Sequence, residues 1–591
     1  MQKVFFLLVR TETSSHNKLC CSMKPNRSFM KKSQILKNSV VYSAVAVLAG
    51  IAFSAVLIPS SYAKTYSADI IVYGDTSAAV VTAVQAKKEG KNVILVAPLT
   101  HLGAMTSSGL GFTDSGKAYT IGGMSKEFYH RVWLEYQKDT SWTFQKRNQF
   151  GASGQGTKAM NDENQTQWVF EPKVAERVYD NWLTEYDIKT FRGERLDRQK
   201  GVLMKKGRIT AIKTLNKNKF KGKIFIDCTF EGDLMAAAGC HYTVGREANS
   251  QYGETYNGGR TTLEYNGHHF KSKISPYKIP DDPKSGLLPF ISPDKLTPSG
   301  QADKKVQSYC YRMCLTDYEP NRIPIAKPEG YDPADYELFA RYFAAGENPP
   351  CMTTSAMPNF KTDSNNHGAF SLDFIGMNYD YPDASYEERE KILEAHKQYQ
   401  LGLLYFLQND PRLDEKVRQR WQKWGLPKDE FTDNGNWPFA IYVREARRMI
   451  GSYVMTQANC ESTKETPQSI GMGSYNLDSH NTFRYVTDEG YVQNEGDVEV
   501  RLKNPYQIAY GSIIPQREDC TNLLVPVACS ATHIAYGSIR MEPVFMILGH
   551  SAATAASLAL DAKSDVQDVD YQKLKEKLLK DGQILSVETQ K

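Results

Sequence analysis

Histidine and arginine are the side chains in this sequence suited to moving a proton or holding an anion, and their surroundings single out a few positions. His480 lies in NLDSHNTFRY, flanked by Asp478, Ser479, Asn481 and Arg484, so a neighbouring carboxylate or hydroxyl can orient its ring for general acid or base work. His533, in SATHIAYGSIR, has a comparable polar setting, and His101 and His367 are further candidates. Arg444 and Arg448, in VREARRM, are four residues apart, the interval that shares one helix face. Together they would clamp a carboxylate or a polyhydroxyl compound. The plainer alternative is structural: histidines satisfied in a core and arginines in an ion-pair network between domains.

Such groups need a scaffold, and residues 68–98, ADIIVYGDTSAAVVTAVQAKKEGKNVILVAP, read as strand, Gly-containing turn, helix and second strand. This is the entry of a dinucleotide-binding fold, because a helix that starts directly after such a turn points free N–H groups and its positive dipole end at a pyrophosphate. Gly74, Thr76 and Ala79 stand at the three positions of GxGxxG, so only the first is glycine. The acidic residue expected after the second strand, where it would hold ribose hydroxyls, is Ala97. Taken alone, the motif leaves open an ordinary βαβ unit that binds no nucleotide.

Three more segments bear on that choice: THLGAMTSSGLGFTD at 100–114, IFIDCTFEGDLMAAAG at 224–239 and MEPVFMILGHSAATAASLAL at 541–560. With WVFEPKVAERVYDNWL, YTVGREANSQYGET, YRMCLTDYEPNRIP and DNGNWPFAIYVREARRMIGSYVM, they run in one order over nearly the whole chain after Lys64. The sequence resembles the FAD-dependent oxidoreductases of the glutathione-reductase-like superfamily, most closely a bacterial group of large, often exported flavoproteins. The resemblance implies an α/β fold, a Rossmann-like FAD-binding domain with a large inserted α+β substrate domain. It implies that Gly74, Thr76 and Ala79 meet the pyrophosphate and that Leu102, Gly103 and Met105 lie beside the flavin. Thr229 and Asp233 would fall in the second nucleotide-facing turn, and Arg540 with the start of the C-terminal helix would face the pyrimidine end of the ring. In this group Gly usually stands at Asp75 and Glu at Ala97, so FAD is expected to bind noncovalently and more weakly here.

The domain reading is residues 1–63 as a signal peptide, or an uncleaved anchor, 64–252 as the first part of the FAD domain, 253–505 as a substrate or cap domain, and 506–591 as the second part. Lys31, Lys32 and Lys37 precede an uncharged apolar run at 40–58 and a small-residue stretch ending at Ala63, which predicts export to the periplasm or cell envelope. Eight Lys or Arg against one acidic residue in the first 63 account for the excess positive charge; the remainder is slightly acidic, which removes the electrostatic case for nucleic acid. No membrane partner is expected unless that first segment is retained. No CxxC pair occurs among the ten cysteines, so no zinc ribbon or redox dithiol is signalled; no metal is expected, and Cys310 and Cys314 would share a helix face as buried thiols.

Helices are predicted at 121–136, 171–185, 384–409 and 569–579, with a three-stranded meander between 188 and 227. The functional expectation is an FAD-dependent oxidoreductase acting on a small polar organic substrate, a carbohydrate or derivative among them, with an electron acceptor that the sequence does not name. The alternatives are an exported polysaccharide lyase or isomerase with an auxiliary flavin, and a non-catalytic protein with a degraded nucleotide site.

Overall fold

The computed structural model describes residues 64–260 and 267–587, and these fall within one unit. The signal-peptide reading of residues 1–63 lies outside the described residues.

The apolar, β-branched run Ile70–Tyr73 (β1) has no exposed residue. A strand buried on both faces belongs in the middle of a parallel sheet. Gly74 ends it, helix α1 (Ser77–Lys88) crosses over, and β2 (Val93–Val96) returns parallel to β1. Helix α2 (Pro172–Glu185) then leads into β3 (Lys189–Phe191), and β4 (Ile224–Asp227) and β5 (Leu523–Leu524) complete a five-stranded sheet in the order β5-β4-β1-β2-β3. Every neighbouring pair in it is parallel. Helix α3 (Glu542–Ala562) covers α1 so closely that a Cβ on Gly549 would stand 2.8 Å from the Ala78 carbonyl. Its alanine-rich sequence is the requirement of that close approach. Length and hydropathy alone would let α3 cross a membrane, but it is a core helix, almost wholly buried.

Between β3 and β4 the meander forms as expected from Val202–Lys205, Arg208–Lys213 and Lys219–Lys221, and Thr65–Ser67 adds a fourth, parallel edge strand. Residues 253–505 carry a second five-stranded sheet, antiparallel throughout, with Met313–Thr316 at its centre, together with the long helix Tyr386–Asn409, whose Ser385 and Glu388 form a capping box. Pairings cross both expected domain boundaries: Tyr242–Thr243 with Arg448–Met449, and Ser469–Gly473 with Tyr506–Ala509.

Two local readings are corrected. Cys314 lies on the strand Met313–Thr316, opposite Asp363, so it does not share a helix face with Cys310; the eight described cysteines are all buried free thiols. The VREARRM segment is not helical either, because its arginines are drawn to carboxylates on different elements and the chain extends to reach them.

A charge cluster fastens the second sheet to the start of helix α2. Lys361 is fully buried, and its Nζ lies 2.7 Å from Glu171, 2.8 Å from Asp429 and 2.6 Å from Glu430. These carboxylates are close enough together to hold a metal ion, but an ammonium group stands among them. Burial alone would lower the lysine's pKa; the three carboxylates outweigh it and raise it well above its ordinary value.

Candidate active site

In an open parallel sheet a ligand binds beyond the carboxyl ends of the strands. Here those ends carry Gly74, Asp75 and Thr76 after β1, Pro98 and Leu99 after β2, and Thr229 to Asp233 after β4. Gly74 sits at φ +144°, and a Cβ there would lie 2.5 Å from the Cys228 carbonyl oxygen, so no other residue fits without moving β4. Thr76 caps α1, its Oγ1 accepting from Ala79 N and donating to Cys228 O at 2.7 Å. A threonine can therefore hold the middle fingerprint position, since its hydroxyl supplies the N-cap. Gly103 bridges to Thr76 and donates to Asp75 O at 2.7 Å, while Leu102 and Met105 beside it are fully buried. Ala97 is also fully buried, with its N–H on Phe191 O.

Asp75, Thr229 and Asp233 line one cavity together with Tyr386 and Arg389 of the long helix. Thr229 is locked by Asp227, which accepts both its N–H and its hydroxyl. Asp233 is held by Arg389 through two hydrogen bonds (2.8 and 3.0 Å), by Arg447 at 2.9 Å and by Arg198 at 3.2 Å. Among the described residues Asp75 has no ion-pair partner; its carboxylate accepts Leu99 N–H at 3.2 Å, and burial, with Glu231 second, pushes it up to about 7.

Glu542, the first residue of α3, joins three of the segments singled out in the sequence. Its carboxylate accepts from Ser77 Oγ of α1 (2.5 Å) and from Thr106 Oγ1 of the 100–114 loop (2.8 Å), and burial raises its pKa to about 7. No sequence signal marked it apart from its place at the start of the helix.

The proton-transfer and anion candidates fall into two networks. In the first, His480 Nδ1 is 3.0 Å from Asp373, and Arg444 holds the other oxygen of Asp373 at 2.8 Å. His480 Nε2 stands 3.6 Å from Asp478, beyond a good hydrogen bond, and Asp478 is paired with Arg540 at 2.8 Å. Arg540 also donates to Tyr442 OH at 2.7 Å, and the Arg444 guanidinium lies over the same ring. Burial alone would raise both aspartates; Arg444 and His480 hold Asp373, and His480 and Arg540 hold Asp478, well below the usual carboxylate range. The buried Nε atoms of Arg444 and Arg540 have no hydrogen-bond partner among the described residues, so both remain available to an acceptor supplied by a ligand.

The second network is complete in itself. His533 has Glu445 on Nδ1 at 2.8 Å and Ser479 on Nε2 at 3.0 Å, which leaves neither nitrogen free. Arg448 joins Glu445 at 2.8 Å and Glu247 at 2.6 Å and donates to two backbone carbonyls. Arg444 and Arg448, expected as a pair, thus serve different networks, and Arg448 and His533 belong to the ion-pair reading. His101 contacts Glu176 and Asp433 and stacks on Phe439. His367 lies 3.4 Å from His268, whose ring centroid is 6.3 Å from that of His480. Asp373 and Tyr442, which complete the first network, carried no sequence signal, since both lie far along the chain from His480.

A family profile described as FAD dependent oxidoreductase matches residues 69–578. Among solved structures, the chain is similar to a geranylgeranyl bacteriochlorophyll reductase-like protein from Thermoplasma acidophilum, with 10% identity over 87% of this chain and 84% of that one and a TM-score of 0.32. It is also similar to CabE, an aromatic hydroxylase from angucycline biosynthesis (14% identity, 31% of this chain and 35% of that one, TM-score 0.22), and to an L-amino acid deaminase from Proteus vulgaris (14%, 31% and 53%, TM-score 0.22). The chain spans about a third of the length of CabE and about half that of the deaminase. No curated protein sequence matches the chain.

Proposed function

The chain belongs to the FAD-dependent oxidoreductase family, and from that premise we propose that it oxidises or reduces a small polar organic substrate held beside His480, Arg444 and Arg540. FAD is the cofactor, and when bound it supplies the electron-pair transfer. The residues fit it: Gly74 lets β1 turn tightly against Cys228 into the N-terminus of α1, which opens onto the strand ends, and Arg540 keeps a buried donor unpaired among the described residues. In this reading Gly74, Thr76 and Ala79 hold the pyrophosphate, Leu102, Gly103 and Met105 flank the ring system, and Thr229 and Asp233 line the nucleotide side. The parallel sheet with its interrupted return at β5 supports a glutathione-reductase-like arrangement of these parts, with residues 253–505 as substrate domain. Export rests on the sequence before Lys64.

One observation carries the assignment: His480 has one nitrogen fixed by Asp373 and the other loosely opposed by Asp478. A ring so oriented can exchange a proton at Nε2 with a substrate hydroxyl or carbonyl. Arg444 keeps Asp373 ionised and so positions the ring, while the Arg540 cation stabilises negative charge developing near it. The purified holoenzyme, titrated without oxygen against sugar alcohols, aldoses and hydroxy acids, is expected to lose its flavin colour with at least one class. Turnover with the colour unchanged would instead make the flavin auxiliary.

Asp75 adds a pH dependence. With a folded pKa near 7 against an ordinary value of 3.8, it is protonated in the folded protein at pH 6 and ionised at pH 8. The ionised form repels a diphosphate, so FAD binding takes up a proton and affinity falls as pH rises through 7, by about tenfold between pH 6 and 8. The same raised pKa gives the folded state a proton that the unfolded chain has lost, so stability declines over pH 4 to 7. Asp75→Asn is expected to flatten the affinity profile, measured by quenching of FAD fluorescence. A variant that kept the wild-type slope would assign the effect to another group.

A further inference from the structure

On the face beyond Tyr475 lies an open groove of about 750 Å³, walled by residues 116–126, by the hairpin Met160–Asn161 and Thr166–Gln167, and by residues 474–476 and 501–502. Among the described residues its lining contains Lys117, Lys126 and Arg501 and no aspartate or glutamate. Lys117 is engaged with the Lys503 carbonyl at 2.6 Å, but Lys126 and Arg501 are exposed and have no ion-pair partner among the described residues. In a chain whose opposite charges are nearly balanced, with 72 Lys and Arg against 67 Asp and Glu, a groove with cations alone is an anion site by composition. Asn161 and Asn164 add amide donors and acceptors, matched to hydroxyl groups. Tyr119, 63% exposed, offers a flat apolar face at the rim. Cations, amides and an exposed ring in a groove of this size suit a ligand that is anionic, rich in hydroxyls and partly apolar on its ring faces.

We propose that this groove binds an acidic oligosaccharide, its sugar units bearing carboxylate or sulfate groups. Tyr475 lines the groove, its hydroxyl reaches Asp114 at 3.5 Å, and Asp114 lies within electrostatic range of Arg540 and Asp478. The groove therefore borders the His480 network, and the claim that the bound sugar is also the substrate rests on the function proposed above. Binding itself does not.

The test is calorimetry on the FAD-loaded protein with three probes of equal length: an oligogalacturonate, a sulfated oligosaccharide and a neutral oligosaccharide. At least one acidic probe should bind tenfold or more tightly than the neutral one, and less tightly as salt is raised. The double variant Lys126→Ala/Arg501→Ala should weaken that binding about tenfold, and Tyr119→Ala should weaken it severalfold, both with wild-type flavin absorbance as evidence of intact folding. The stronger of the two acidic probes identifies the anionic group. Equal affinity for acidic and neutral probes, no binding of either acidic probe, or a double variant that binds like wild type would overturn the proposal. An acidic probe that binds without reducing the flavin leaves the groove assignment standing and removes only its link to the reaction. Flavin reduction by a compound that does not occupy the groove keeps the proposed function and overturns that same link.

Discussion

Replacing His480 by glutamine is expected to leave FAD bound with an unchanged spectrum and to slow substrate-dependent bleaching by about a hundredfold or more. Glutamine approximates the size of the ring and can accept or donate one hydrogen bond, but it cannot carry a proton between substrate and solvent. The loss should fall on the rate of reduction rather than on substrate affinity, because Nε2, 3.6 Å from Asp478, is the atom that moves the proton. Asp373→Asn should reproduce part of the defect, since Asp373 fixes the ring through Nδ1. A purely structural His480 would instead lower flavin content or thermal stability in both variants while the reduction rate per bound FAD stayed constant.

The second large effect concerns stability. Lys361→Met leaves Glu171, Asp429 and Glu430 clustered with Lys173, partly exposed, as their one remaining ion-pair partner among the described residues. Removing one partner of a buried ion pair costs about 3–5 kcal/mol, because an uncompensated charge stays behind in a medium that solvates it poorly. Burial already raises the pKa of Glu430, so the variant should take up protons and recover stability on acidification, opposite to the usual loss. The control is Lys158→Met, which removes an exposed pair at 3.8 Å and should change stability by less than about 0.5 kcal/mol. Denaturant midpoints for the two variants decide the matter; equal shifts would mean that the cluster holds nothing together.

What the sequence could tell divides along a physical line. The run from β1 to β2, the meander and the helix Tyr386–Asn409 are local patterns, fixed by β-branched runs, glycine stops and the Ser385–Glu388 cap, and they were legible residue by residue. The turn after β1 was legible because Gly74 performs a backbone task, at φ +144° against Cys228, that few other residues can. The networks were not. His480 and His533 have similar neighbours in sequence, yet one keeps a loosely opposed nitrogen and the other has both engaged, and the partners that decide this, Asp373 and Glu445, lie 107 and 88 residues away. Arg444 and Arg448 have helical spacing, but the buried carboxylates on separate elements outweighed a modest helical preference. Tertiary charge pairing leaves no periodicity to read.

The most direct test of the central claim, that FAD reacts against the His480 network, is a crystal structure of the FAD-loaded enzyme. The account predicts the diphosphate at the N-terminus of α1 beside Gly74, Arg540 Nε on an acceptor of the ring system or of a bound substrate, and His480 Nε2 within direct or single-water reach of the reacting position. An isoalloxazine more than about 10 Å from both His480 and Arg540, beyond any such transfer, would contradict it and return both side chains to a structural role.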